Sequence, residues 1–181
     1  LPICHADFGG EVERILGAVD GAILLVDAVE GALPQTRFVL SKALAKNIKI
    51  ILCINKVDRR EVREDLSRVN QVVDQVFDLF VELGATEEQC DFPILYMCAR
   101  EGWCTDSLDS VPDYVKGDKK GNLKALFELI VDFFPPPTIA TDESLKMQLF
   151  NLSWSDYVGQ LAIGKIVSGS VSKNQEIYRL G

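Results

Sequence analysis

The residues best equipped for chemistry stand at the ends of three apolar runs, Gly21 to Ala28, Ile48 to Ile54 and Pro93 to Ala99. The middle run leads directly into Asn55-Lys56-Val57-Asp58. A carboxylate at Asp58 can accept two hydrogen bonds, one from a purine ring N–H and one from an exocyclic amine. Guanine presents that donor pair and adenine does not. Charge-assisted hydrogen bonds contribute about 1.5–3 kcal/mol each, and a buried carboxylate facing adenine would be left unpaired. Asn55 can offer its amide to the base edge or tie loops together. The stem of Lys56 can lie over the ring and bury apolar surface. Cys98-Ala99 closes the third run, where backbone N–H groups around Ala99 would meet the guanine carbonyl and a small residue permits close approach. The competing reading is a plain polar turn after a strand. Placement at a strand end, with a small-residue turn at the next strand end, favours base reading.

Other candidates carry less. Cys4 and His5 offer a thiol and a base, but adjacent residues rarely align for that chemistry and no third orienting group is evident. The five cysteines, at positions 4, 53, 90, 98 and 104, are scattered without a CxxC, and His5 is the only histidine. A structural zinc site needs four clustered ligands, so free thiols in a reducing cytosol are expected. Glu87, Glu88 and Asp91 read as a solvated loop. Trp103 and Trp154 read as packing residues. Lys116, Lys119 and Lys120 read as a solvated turn in preference to an RNA contact.

These residues need a scaffold, and the chain has the composition for one. Its 181 residues, 48% apolar and 25% charged, are an ordinary globular mixture. Nineteen Lys+Arg against 27 Asp+Glu give a net charge of −8, a poor balance for non-specific binding to nucleic acid or anionic lipid. No apolar run approaches the roughly 18 residues of a membrane span. The three apolar runs are continuous, as in parallel strands buried on both faces. Between them the period becomes helical: Gln35 to Lys46 with Pro34 at its start, Glu64 to Leu83 with Gly84 as its stop, and Leu123 to Phe134 capped by Asn122. Strand–helix alternation predicts an α/β, doubly wound, mainly parallel sheet.

Arg100 to Gly121 reads as one long connection, functional or disordered. Pro135-Pro136-Pro137 forms a stiff exit. Beyond it, Lys146 to Leu152 and Gln160 to Val167 alternate in twos, with turns at Gly159, Gly169 and Asn174. That pattern predicts a first domain over 1–137 and the opening of an antiparallel β domain over 138–181. The start at Leu1 and the end at Gly181, inside a strand-like pattern, read as an excised piece of a longer protein.

His5 to Arg14, Asp27-Ala28-Val29-Glu30-Gly31, Pro34-Gln35-Thr36-Arg37, Asn55 to Arg59 and Cys98-Ala99 together resemble the translational GTPases. His5-Ala6-Asp7-Phe8-Gly9-Gly10-Glu11-Val12-Glu13-Arg14, Asp91-Phe92-Pro93, and Ser155 to Gly159 with Ile163 to Ile166 are most similar to the TypA/BipA branch. The resemblance covers essentially the whole chain. It implies the P-loop GTPase fold with its N-terminal strands missing, followed by the start of a β-barrel. It implies a cytoplasmic enzyme that binds GTP or GDP with Mg²⁺ and works on the ribosome. It assigns Asn55, Lys56 and Asp58 to guanine, Cys98-Ala99 to the motif that usually reads Ser-Ala, and His5 to the water that attacks the γ-phosphate.

Two departures matter. No Gly-x4-Gly-Lys-Ser/Thr phosphate loop occurs in the 181 residues. Where the family reads Asp-x-Pro-Gly-His, this chain reads Leu1-Pro2-Ile3-Cys4-His5. Phosphoryl transfer depends on positioning and on neutralising charge at the phosphates, so weak nucleotide binding and no hydrolysis are expected of this chain alone. The alternative is a decayed, non-hydrolysing paralogue that serves as a ribosome- or protein-binding module. The edge left bare beside the first strand predicts self-association.

Overall fold

The computed structural model describes residues 9–136, 140 and 144–178. Cys4 and His5 lie outside the described residues. The chain divides into two compact units, Leu1–Pro135 and Pro136–Gly181.

In the first unit the order is α1 (Gly9–Leu16), β1 (Gly21–Asp27), α2 (Pro34–Ala45), β2 (Lys49–Asn55), α3 (Arg60–Glu64), α4 (Ser67–Glu82), α5 (Glu87–Cys90), β3 (Ile94–Cys98), β4 (Trp103–Thr105), α6 (Val111–Lys116) and α7 (Lys124–Phe133). The strands form one sheet in the order β1-β2-β3-β4. β1, β2 and β3 are parallel, with Leu24 beside Leu52 and Cys53 beside Leu95. β4 returns antiparallel to β3. At β2 and β3 the sheet is covered on both faces. Ile50, Leu52 and Ile54 of β2 pack with α1, α2 and α4. Ile51, Cys53, Leu95 and Met97 pack with α7. Residues 51–54 are fully buried, and each such apolar side chain contributes about 1.5–3 kcal/mol. Burial pushes the Cys53 thiol up to about 12, with the neighbouring Cys104 adding to the effect.

The structure refines the expected elements in the first unit. β1 is buried on one face only: Ile23 and Leu25 are 43% and 55% exposed on the face that α7 covers over β2. Among the described residues β1 pairs with β2 alone in the sheet. The helix expected over Glu64–Leu83 breaks at Asp65, whose backbone is extended. Its Oδ1 accepts the Ser67 N–H and hydroxyl at 3.0 and 2.6 Å and restarts the helix. The connection from Arg100 to Gly121 is ordered, carrying β4, a 3₁₀ turn at Leu108–Ser110 and α6. Trp103 organises it: buried, it stacks on Tyr114 with centroids 5.0 Å apart.

Local signals do their expected work elsewhere. Asn122 Oδ1 accepts the Lys124 N–H at 2.8 Å at the start of α7. Gly84 takes φ +76° just beyond α4, a conformation that suits glycine. Gly21 is needed for space, because a Cβ there would lie 2.2 Å from the Phe134 ring.

In the second unit β5 (Lys146–Ser155) and β6 (Gly159–Ser168) form an antiparallel hairpin with bulges at Lys146/Met147 and Leu149/Asn151. Ser155 Oγ accepts the N–H groups of Tyr157 and Val158 in its turn. Trp154 is 71% exposed, contrary to its expected packing role: a two-stranded sheet supplies little core to receive it.

Candidate functional site

Parallel register decides where the site residues meet. Asp27 lies beside Asn55, and Asn55 beside Met97, so the carboxyl ends of β1, β2 and β3 come together. That is where open α/β sheets bind ligands. Asn55 Oδ1 accepts the Ala99 N–H at 3.0 Å, which ties the loop after β2 to the loop after β3. Asn55 therefore takes the loop-tying role, and the Ala99 N–H is already engaged instead of free for a base carbonyl. Val57 is fully buried and anchors the loop from below. Its N–H reaches Met97 O at 3.4 Å.

Lys56, between these anchors, has φ +63°. A left-handed backbone costs a residue with a Cβ roughly 1–2 kcal/mol, and the surroundings must hold it. Its Nζ lies 2.7 Å from Asp27 Oδ2. Arg59 brings a second cation, with Nη2 at 3.3 Å from the same oxygen and Nη1 at 3.7 Å from Glu30. Asp27 Oδ1 accepts the Val29 and Glu30 N–H groups at 2.9 and 3.3 Å. Burial alone would push the Asp27 carboxyl up, but Lys56 and these two N–H groups together bring it below the usual carboxylate range.

Asp58 is 13% exposed, and its Oδ2 meets Arg100 Nη2 at 2.9 Å. Arg100 is 77% exposed. The arginine side of the pair is open to water, so a ligand can displace the guanidinium, while the enclosed Asp58 carboxylate still demands a partner in its place. Beneath lies Cys98, fully enclosed. Burial and the charges of Asp58 and Glu101 raise its thiol above the ordinary range, although the Glu101 N–H opposes the shift. Glu101 is fixed by the Trp103 indole N–H at 3.1 Å.

The structure thus unites Asn55, Lys56, Asp58, Cys98 and Ala99 at one end of the sheet. It adds Asp27, Arg59, Arg100 and Glu101, which sequence reasoning did not assign. The signal for them was faint: an aspartate closing the first apolar run, and arginines next to both motifs. A cleft of about 270 Å³ lined by Asn47, Lys49, Gln89, Phe92 and Phe133 lies at the opposite, amino end of β2, away from these groups.

Residues 4–136 match the family model of the elongation factor Tu GTP binding domain. The chain belongs to this family. Its mixed sheet with helices on both faces is the family's α/β architecture. It is 46% identical over 172 residues to the large ribosomal subunit assembly factor BipA of Synechocystis sp.. It is 44% identical over 173 residues to that of Bacillus subtilis and 47% identical over 173 residues to that of Haemophilus influenzae. The matches take in 95–96% of this chain and 26–27% of each relative, so the chain spans about a quarter of their length. The similarity is to the BipA branch of the translational GTPases, as the motifs imply. Among the described residues no helix is long and apolar enough to cross a membrane.

Proposed function

We propose that the first unit is the base-reading half of a guanine-nucleotide site in a BipA-like GTPase that acts on ribosome assembly or translation in the cytoplasm. The observation that carries this reading is Asp58: a mostly enclosed carboxylate at the carboxyl end of β2, paired with a solvent-exposed arginine. Such a group is primed to exchange Arg100 for the paired donors of guanine. Lys56 supplies apolar stem and charge beside it. Asn55 holds the two loops at the spacing a flat base needs, and Cys98 and Ala99 keep the floor small.

The described residues fit the base and not the rest of the nucleotide. No phosphate-loop sequence is present. The one cluster of potential metal donors among them, Asp58, Cys98 and Glu101, mixes a thiol with carboxylates already paired to Arg100. Mg²⁺ prefers oxygen ligands in octahedral geometry, which this cluster does not offer. GTP or GDP with Mg²⁺ belongs to the whole protein, as does the role of His5 toward the attacking water. The second unit is read as the start, over 138–181, of a β-barrel domain. Leu1-Pro2-Ile3-Cys4 in place of Asp-x-Pro-Gly favours a second reading, a non-hydrolysing paralogue that keeps the surface for ribosome or protein binding.

Binding of fluorescent GDP to this chain, beside a version extended upstream through a phosphate loop, tests the proposal. The extended protein is expected to bind tightly and hydrolyse GTP. The 181-residue chain is expected to bind weakly and not to hydrolyse. Tight binding absent from the extended protein would overturn the guanine reading; tight binding without hydrolysis would favour the paralogue. Single-turnover hydrolysis by the short chain would overturn the division of labour.

Among the described residues β1 pairs on one side only, and such an edge, beside the exposed Ile23 and Leu25, invites pairing with another chain. Self-association of the 181-residue protein is expected by light scattering, and a monodisperse monomer at high concentration would count against it.

A further inference from the structure

Among the described residues, Asp27 carries a buried side-chain oxygen, Oδ2, without a well-aligned hydrogen bond, on a side chain only 10% exposed. That oxygen is satisfied by charge instead, from Lys56 Nζ at 2.7 Å and Arg59 Nη2 at 3.3 Å. The other oxygen is committed to the N–H groups of Val29 and Glu30, which fixes the carboxylate to the end of β1. We propose that Asp27 is a positioning residue for guanine-nucleotide binding: it captures the Lys56 ammonium and holds the base-reading loop ready. The proposal rests on the guanine reading of Asp58.

The geometry explains why such a residue is needed. Lys56 sits at φ +63°, a conformation populated only when its surroundings enforce it. Val57 pins the chain on one side of it, and Asn55 on the other through Ala99. Asp27 pins the far end of the side chain. A lysine fixed at both ends has lost its rotamer freedom before any ligand arrives, so less ordering cost falls on binding. Arg59 braces the same carboxylate from the residue after Asp58 and reaches Glu30. The segment after β1 and the loop after β2 therefore hold one another. Asp27 acts through Lys56 and is not itself placed on the base.

The test uses the full-length protein, with GDP affinity as the readout. Asp27→Asn keeps the shape and removes the charge. It is expected to weaken GDP binding about tenfold, the usual effect of losing one charged hydrogen bond. In a Lys56→Met background the same change is expected to have no further effect. That coupling separates positioning from general damage, which would weaken binding in both backgrounds. Equal GDP affinity of Asp27→Asn and the parent, or additive losses in the double variant, would overturn the proposal. If Asp27→Asn does not fold, Asp27→Glu is compared in the same two backgrounds, because the longer carboxylate displaces the ammonium. A loss that disappears with Lys56→Met supports the proposal, and an unchanged affinity overturns it. Asp58→Asn serves as the separate control. If it fails to switch purine preference, the guanine reading is lost; if it switches while Asp27 proves silent, only the positioning role is lost.

Discussion

Asp58→Asn in the full-length protein is expected to lose GTP and gain xanthosine triphosphate. The carboxylate of Asp58 accepts from two donors on the guanine edge. An amide at the same place accepts once and donates once. Xanthine carries a carbonyl where guanine carries its amine, and so matches the altered residue. Two charge-assisted hydrogen bonds of about 1.5–3 kcal/mol each set the loss of GTP affinity at roughly two to four orders of magnitude. The substitution is not expected to unfold the unit, because Arg100, the partner left behind, is 77% exposed and returns to water. Competition of each triphosphate against a fluorescent guanine nucleotide reads the result. An equal loss of both purines would mean that Asp58 supports the loop without reading the base.

The largest expected effect on stability is at Phe80. It is fully buried in α4, and its ring lies 4.4 Å from that of Phe92. Phe92 leads into β3, whose far end delivers Cys98 and Ala99 to the site. Phe80→Ala removes most of a ring from a packed interior, a change that costs about 3–5 kcal/mol through lost transfer energy and the cavity left behind. A domain of this kind has only about 5–15 kcal/mol in total, so the variant is expected to be partly unfolded at moderate temperature. Chemical denaturation checks the magnitude. Phe127→Ala is the control: Phe127 is 60% exposed on α7, and its loss is expected to stay within about 0.5 kcal/mol. Similar destabilisation at the two positions would contradict the packing described above.

The amino-acid sequence by itself determined the elements. Continuous apolar runs mark β1, β2 and β3, and in β2 successive positions are apolar because helices cover both of its faces. The three- and four-residue spacing of Val69, Val72, Val76 and Phe80 produces the buried stripe of α4. The Asn55–Asp58 motif was legible because a short pattern directly after a strand fixes its own place at the sheet's end. Tertiary structure decided what those residues touch. Asn55 spends its side-chain oxygen on Ala99, 44 positions away, and Asp58 pairs with Arg100, 42 positions away. Asp27 collects two cations from the next strand's loop. Local periodicity carries no information about such pairs. They follow from the parallel register, which sets strand ends side by side that the chain keeps far apart. The exposed face of β1 and the ordered turn-back of β4 have the same origin, since burial depends on which neighbour arrives and composition alone does not specify it.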